Sequence, residues 1–320
     1  MRYDAAFVAA FRVPMSAPII EVENLRKSYG SVEALRGVSF AVEEGEVFGL
    51  LGPNGAGKTT TVEILEGLRR ADAGRARVCG LEPGDQRAFK ELIGAVLQQT
   101  ALPEKIRVGE ALTLFARFYQ RRRDAGDLLR RFGLEEKRDA FFDHISGGQK
   151  QRLALAMALV NEPRVVFLDE PTAGLDPQVR REMYDIIGEL RREKKTVVLT
   201  THYIEEAERL CDRVAIIDFG KVIALGTPRE LRARSAGTTR VHVRLTQAVS
   251  DGSMGKLDGV TDCVAAEDNA YVLHTARPTQ TIVALVRHLE AARNELQSLE
   301  ISAPSLEDVF IELTGRRLRE

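Results

Sequence analysis

No stretch of this sequence is apolar for long enough to cross a bilayer. Its longest apolar runs, such as Leu153 to Val160, are eight residues, against the roughly 20 that a membrane-spanning helix needs. Net charge is nearly missing too. The 46 Lys and Arg face 47 Asp and Glu, which removes the general electrostatic case for binding nucleic acid. This is not a cancellation between unlike halves, because residues 231–320 carry 11 basic and 12 acidic side chains and residues 1–230 carry 35 of each. Cysteine is scarce. Cys79, Cys211 and Cys263 are scattered and form no C-x-x-C pair, which excludes a disulfide framework and fits a reducing cytosol. Five dispersed histidines show no metal-ligand spacing. Internal repeats and low-complexity tracts are absent from the sequence.

What is present reads as globular. Hydrophobic residues make up 44% and mean hydropathy is −0.17, outside the disordered range. At roughly one domain per 150 residues, 320 residues imply two domains. Residues 1–18 read as an N-terminal extension. Ala5 to Phe11 is too short for the hydrophobic region of a secretory signal, and Met15 offers a second start. Between Ile19 and about Arg229, short β-branched runs alternate with helical patterns. Val47–Leu51, Val165–Leu168, Thr196–Leu199 and Val214–Ile217 read as strands of a parallel sheet covered on both faces. Ile19–Val22 and Val38–Val42 read as a more exposed antiparallel layer. Residues 100–160 are helical in pattern, with Leu112, Phe115, Phe118 and Tyr119 at helix spacing. They carry a basic cluster of Arg117, Arg121, Arg122, Arg123, Arg130 and Arg131, diluted by Asp124 and Asp127 and read as a solvated face, with a lipid-headgroup or permease contact as the alternative. The Arg- and Ala-rich stretch before Gly237 reads as a linker.

A small α+β unit follows over residues 240–320. Val241, Val243 and Leu245 alternate with polar neighbours as in a half-buried strand. Ile282, Leu285, Val286 and Leu289, then Leu306, Val309, Phe310 and Leu313, form helical stripes. Ser305 with Asp308 marks a helix start.

Two segments carry chemistry. Gly52-Pro53-Asn54-Gly55-Ala56-Gly57-Lys58-Thr59 fits G-x-x-x-x-G-K-[ST] between a predicted strand and a predicted helix. The glycines let backbone N–H groups converge on a phosphate, and the helix start adds a positive dipole end. Lys58 reaches the β- and γ-phosphates and Thr59 offers its hydroxyl to Mg²⁺. In the second segment, Val165-Val166-Phe167-Leu168 leads to Asp169-Glu170. Asp169 suits metal binding through water, and Glu170 suits orienting or deprotonating the attacking water. A third segment, Ser146-Gly147-Gly148-Gln149, is an N-cap and an open helix end suited to an anion.

Together, Ser146–Gln149 and the loop at 52–59 resemble the ATP-binding cassette (ABC) ATPases, whose signature usually reads Leu-Ser-Gly-Gly-Gln; Ile145 is a mild departure. Further residues follow in the family's order. Tyr29 resembles the aromatic that stacks on adenine. Gln98, beside Gln99, resembles the glutamine that senses metal and γ-phosphate. Ala173-Gly174-Leu175-Asp176 resembles the D-loop, and His202 resembles the switch histidine. Each residue alone has an ordinary structural reading; their joint order does not. The ending Pro304 to Gly315 resembles that of drug-resistance-type exporter ATPases, of which the daunorubicin-resistance subunits are the best-known branch.

The resemblance implies a P-loop NTPase (RecA-like) fold over residues 19–230, with a parallel sheet core, an antiparallel β layer and a helical subdomain, and a C-terminal accessory domain over 240–320. It implies nucleotide contacts from Tyr29, Gly52, Asn54, Gly55, Gly57, Lys58, Thr59, Thr60, Ser146, Gly147, Gly148, Gln149 and Asp176. Catalytic parts fall to Glu170, His202 and Gln98, and Mg²⁺ to Thr59, Gln98 and Asp169. It further implies ATP hydrolysis by a homodimer or paired cassette that drives a separately encoded permease on the cytoplasmic face of the membrane, with no nucleic acid. The stretch Ala101 to Val108 is where cassettes of this kind meet a permease helix. A soluble ABC ATPase of DNA repair or translation is the alternative. Only 88 positions separate Lys58 from Ser146, with no heptad array between them, which argues against that class. An importer is disfavoured by the C-terminal ending, and a binding module without turnover by Glu170 and His202.

Overall fold

The computed structural model describes residues 17–84, 86–98, 101–234, 239–249, 252–266, 268–302 and 305–315. The expectation for residues 1–14, like Gln99 and Pro304, lies outside them. The chain forms two compact units, the first running to Leu225 and the second beginning at Gly226. Among the described residues, no helix is long and apolar enough to cross a membrane.

Along unit 1 the elements are β1 (Ile20–Tyr29), β2 (Val32–Val42), β3 (Val47–Leu51), α1 (Lys58–Leu65), β4 (Ala73–Val78), α2 (Arg87–Lys90), β5 (Ile93–Val96), α3 (Val108–Ala116), α4 (Ala125–Arg131), α5 (Gly147–Ala158), β6 (Val165–Asp169), α6 (Pro177–Arg192), β7 (Thr196–Thr201), α7 (Ile204–Leu210), β8 (Arg213–Asp218) and β9 (Lys221–Gly226). The main sheet runs β5-β6-β7-β3-β8-β9, parallel from β5 through β8. Strands β3, β6 and β7 are buried along their whole length, as their unbroken apolar and β-branched sequences require of strands covered on both faces. Because β6, β7 and β3 are neighbours, their C-terminal ends lie side by side. Asp169 pairs with Thr200, and Leu51 with Thr201. Open α/β sheets bind ligands at this carboxyl edge.

The second sheet, β2-β1-β4, is antiparallel. Its inward residues Ile20, Val22, Leu25, Val38 and Phe40 share a core with Phe48, Leu50 and Phe167 of the main sheet, and the Phe40 and Phe48 rings stack at 5.1 Å. In the helical region, α3 stops at Ala116, before Phe118, which is exposed. The helical spacing therefore overran the helix. The chain beyond is held by Arg121 and Arg123, which both pair with Glu162. Two more arginines of the basic cluster are paired, Arg130 with Asp127 and Arg131 with Glu193.

Unit 2 contains α8 (Pro228–Arg234), β10 (Thr239–Leu245), β11 (Val260–Ala265), β12 (Ala270–Thr275), α9 (Pro278–Ala292), β13 (Leu296–Ser302) and α10 (Leu306–Thr314). Its sheet is antiparallel in the order β11-β12-β10-β13. Val241, Val243, Leu245 and Leu273 pack with Leu285 and Leu289 of α9, whereas Val286 of the expected stripe is exposed. Ser305 and Asp308 form the capping box of α10. The described part of the Arg- and Ala-rich stretch read as a linker, up to Arg234, belongs to α8. Thr227 and Glu230 cap its start reciprocally, at 3.0 and 3.1 Å, Pro228 is its first residue and Leu231 is buried. The Thr-Pro-x-Glu start signal, masked by the flanking composition, is what fixes this helix.

Candidate active site

The phosphate loop leaves β3 at Leu51 and enters α1 at Lys58. Two glycines are dictated by close approach. A Cβ on Gly52 would lie 2.2 Å from the Ile217 carbonyl oxygen, and one on Gly57 would lie 2.7 Å from the Ala34 carbonyl oxygen, at φ +104°. Lys58 is only 4% exposed. Its ammonium donates to the carbonyls of Gly52 at 2.8 Å and Pro53 at 3.1 Å, and lies 3.4 Å from Glu170 Oε1. Burial pushes the Lys58 pKa down, and Glu170 opposes that shift.

Asp169 ends β6. Its Oδ1 accepts from Thr59 Oγ1 at 3.3 Å and from the Thr200 hydroxyl. Burial raises its pKa, while the two hydroxyls hold it back. A buried carboxylate and a hydroxyl that converge in this way are hard oxygen donors, the set that suits Mg²⁺, and a cation there would offset the burial of the carboxylate.

Glu170 follows with φ +47°, a left-handed backbone that non-glycine residues adopt rarely and that concentrates at functional sites. Its N–H donates to Thr200 Oγ1 at 2.9 Å, so one threonine hydroxyl orders both acidic residues. Its carboxylate Oε1 is shared, lying 3.3 Å from His202 Nδ1 as well as 3.4 Å from Lys58 Nζ. The His202 ring packs on Tyr203 at 4.1 Å. The structure therefore brings Lys58, Thr59, Asp169, Glu170 and His202 into one cluster at the carboxyl edge of the sheet.

The remaining residues singled out in the sequence surround that cluster or stand apart from it. Ser146 caps α5, accepting from the Gln149 N–H at 3.3 Å, while Gln149 Oε1 accepts from the Ser146 N–H at 2.9 Å. The Gln149 side chain is thus engaged in a capping box. Gly147 is open, whereas a Cβ on Gly148 would lie 2.5 Å from Val179 Cγ1, so the starts of α5 and α6 abut. Asp176 caps α6, accepting from the Gln178 and Val179 N–H groups at 3.1 Å each. Tyr29 ends β1 and is 40% exposed. Lys27 and Arg69 lie 5.6 and 5.4 Å from its ring centroid. Gln98 is exposed just past β5, Asn54 and Gly55 are exposed in the loop, and Thr60 is half-buried on α1. Among the described residues, no hydrogen bond or ion pair joins Ser146, Gly147, Gly148, Gln149, Asp176, Tyr29 or Gln98 to the central cluster.

Sequence reasoning missed Thr200, because a threonine in a β-branched run reads only as a strand former. It also missed Glu206, whose Oε1 accepts from Thr172 Oγ1 at 2.8 Å. The capping Glu at position 66 is buried and is pushed up to about 8 by burial, then by Asp169 and Glu63.

Residues 35–173 match the ABC transporter family model, and residues 226–314 match the C-terminal domain of DrrA1-3-like ATP-binding proteins. The chain is 40% identical to the Nod factor export ATP-binding protein I of Ralstonia nicotianae, over 95% of this chain and 96% of that protein. It is 35% identical to the linearmycin resistance ATP-binding protein of Bacillus subtilis, over 94% and 100%. Identity to the daunorubicin resistance ATP-binding protein of Streptomyces coeruleorubidus is 40%, over 96% and 99%. Among solved structures, an ATP-binding subunit of an ABC transporter superposes with a TM-score of 0.61 at 31% identity, covering 68% of this chain and 92% of that one. A dimeric cassette solved after hydrolysis, with ADP and Pi bound, gives 0.60 at 27% identity, covering 65% and 98%. With this cluster at its sheet edge and relatives matched over nearly their whole length, the chain belongs to the ATP-binding, ATP-hydrolysing subunits of ABC transporters.

Proposed function

We propose that this chain is the motor of an exporter, held on the cytoplasmic face of the membrane by a separately encoded permease. The names of its relatives support export: Nod factor export, linearmycin resistance and daunorubicin resistance. In this reading two cassettes sandwich two ATP molecules, and the Ser146 helix start of one faces the phosphate loop of the other. The observation that carries the catalytic part is the shared contact of Glu170 Oε1 with Lys58 and His202.

The phosphate loop and Lys58 bind and orient the phosphates, with Asn54 and Thr60 alongside, and Tyr29 takes the adenine. Thr59 and Asp169, with Gln98, would hold Mg²⁺, which when bound neutralises charge on the phosphate oxygens. Glu170 orients the attacking water and draws its proton, and His202 fixes the Glu170 carboxylate and meets the γ-phosphate. The Ser146–Gly147–Gly148 helix end, arriving from the partner cassette, sets fixed dipoles where charge develops. Closure excludes water and aligns the nucleophile. The relatives' names do not favour the DNA-repair or translation alternative, and no nucleic-acid partner enters the reading. Affinity capture of the tagged full chain from detergent-solubilised membranes tests it. Recovery of a stoichiometric protein with several membrane spans is expected, and recovery of the chain alone from the soluble fraction would overturn it.

A further inference from the structure

We infer that Glu206, on α7, is a positioning residue for hydrolysis: it ties the turn carrying Glu170 to the strand end carrying His202. The inference rests on the roles proposed above for those two residues.

Glu206 is 1% exposed and lies among buried threonines. On one side, Thr172 Oγ1 donates to its Oε1 at 2.8 Å. Thr172 stands two residues past Glu170, in a tight turn closed by the Ala173 N–H to the Glu170 carbonyl at 3.1 Å and the Leu175 N–H to the Thr172 carbonyl at 3.2 Å. On the other side, α7 itself begins at Ile204, two residues past His202, and the bend between is closed by the Tyr203 N–H donating to Thr201 Oγ1 at 2.9 Å. Arg180 completes the arrangement from α6. Its guanidinium lies 4.6 Å from the Tyr203 ring centroid and donates to the Leu175 carbonyl at 3.4 Å. Burial raises the Glu206 pKa, while Thr201, Thr172 and Arg180 favour its charged form. One buried acidic side chain therefore holds the Glu170 turn to the helix that directly follows His202, and one arginine holds the Leu175 turn beside Tyr203.

This position is a poor place for a carboxylate that serves only to fill space. Glu206 Oε2 and Arg180 Nε are both buried without a hydrogen-bond partner, and a leucine would avoid burying an incompletely satisfied group. Glu170, by contrast, holds a left-handed backbone, and such a conformation persists only where its surroundings over-determine it. Thr200 restrains the Glu170 N–H from β7. Glu206 restrains the far end of the same turn through Thr172.

Steady-state ATP hydrolysis by the full chain, with nucleotide affinity and melting temperature measured beside it, tests the inference on Glu206→Ala, Glu206→Gln, Thr172→Val and Glu170→Gln. Glu206→Ala is expected to lower kcat by about 10²-fold, the scale of a misplacement of about 1 Å, with KM and nucleotide affinity nearly unchanged. Glu206→Gln keeps an acceptor for Thr172 and recovers most of the loss. Thr172→Val reproduces it, and combined with Glu206→Ala adds little, because the two share one interaction. Additive losses, a glutamine as damaging as alanine, or a fall in kcat that only tracks the folded fraction would overturn the inference. If Glu206→Ala fails to fold, Glu206→Gln and Thr172→Val still decide it. Glu170→Gln separates the two levels: if it keeps turnover, the underlying role of Glu170 falls. If it is inactive while Glu206→Ala and Thr172→Val are fully active, only the positioning role falls.

Discussion

Lys58 and Glu170 face each other across 3.4 Å, both nearly out of reach of solvent. The ammonium proposed to bind phosphate and the carboxylate proposed to activate water are thus partners of one another, and a γ-phosphate taken by Lys58 would compete with Glu170 for the same charge. Replacing the carboxylate with an amide keeps the shape and removes the base. Glu170→Gln is expected to cut turnover by at least about 10²-fold, the lower end for general-base catalysis, while ATP affinity changes little. Phosphate release and nucleotide titration check this, and a light-scattering measurement should find the variant trapped as an ATP-bound dimer. Undiminished turnover would remove Glu170 from the mechanism.

The Ser146 helix start makes no contact with the central cluster in its own chain, so its proposed work lies across the dimer. Ser146→Arg should abolish hydrolysis yet leave nucleotide binding to the monomer intact. Ser146→Ala loses the cap, worth about 1 kcal/mol, and serves as the control for helix stability. Loss of monomer binding in Ser146→Arg would point to misfolding instead.

Glu66 gives a pH prediction. It is buried at the end of α1, its Oε1 has no hydrogen-bond partner, and burial pushes its carboxyl up to about 8 in the folded chain, from the 4.5 of a free glutamate. Between those values the folded state binds more protons than the unfolded state. Stability therefore falls as pH rises through that window, by at most about 1.4 kcal/mol per pH unit. Glu66→Gln removes the dependence, so the variant should match the parent near pH 4.5 and exceed it increasingly toward pH 8. Urea midpoints measured in the presence of a chelator across that range read the trend. A difference independent of pH would contradict it.

Two glycines should separate loop geometry from dimer chemistry. Gly52→Ala forces a methyl against the Ile217 carbonyl, and Gly147→Ala meets open space. The first should lower the melting temperature and lose ATP binding. The second should fold and bind as the parent does, with any change confined to turnover. Equal melting curves for both variants would show that the loop relaxes around Gly52.

Much of this site was legible in the sequence because its parts are local. Strands β3, β6 and β7 are unbroken buried runs, and the candidate residues sit at or just past their ends, as Asp169, Glu170 and His202 do, or at the start of the helix after β3, as Lys58 and Thr59 do. The Ser146 and Ser305 caps were visible as short spaced signals for the same reason. What was not legible depends on pairing between distant segments. Thr200 matters only because β7 pairs with β6 so that it stands beside Asp169. Glu206 looks like one more polar residue in an acidic helix start until α7 packs it on Thr172. In α3 the error was the reverse: periodic aromatics continued past the point where tertiary ion pairs redirect the chain. In α8, composition concealed a helix that its Thr-Pro-x-Glu start announced.

The double duty of Thr200 has a further consequence. Side chains alternate across a strand, so a slip of one residue between β6 and β7 would turn this hydroxyl to the opposite face of the sheet. It would then leave Asp169 and the Glu170 N–H together. On the roles proposed for Asp169 and Glu170, hydrolysis is therefore coupled to correct assembly of the central sheet: a chain whose strands have mispaired would lose both acids in one event, and turnover would become an internal report of register.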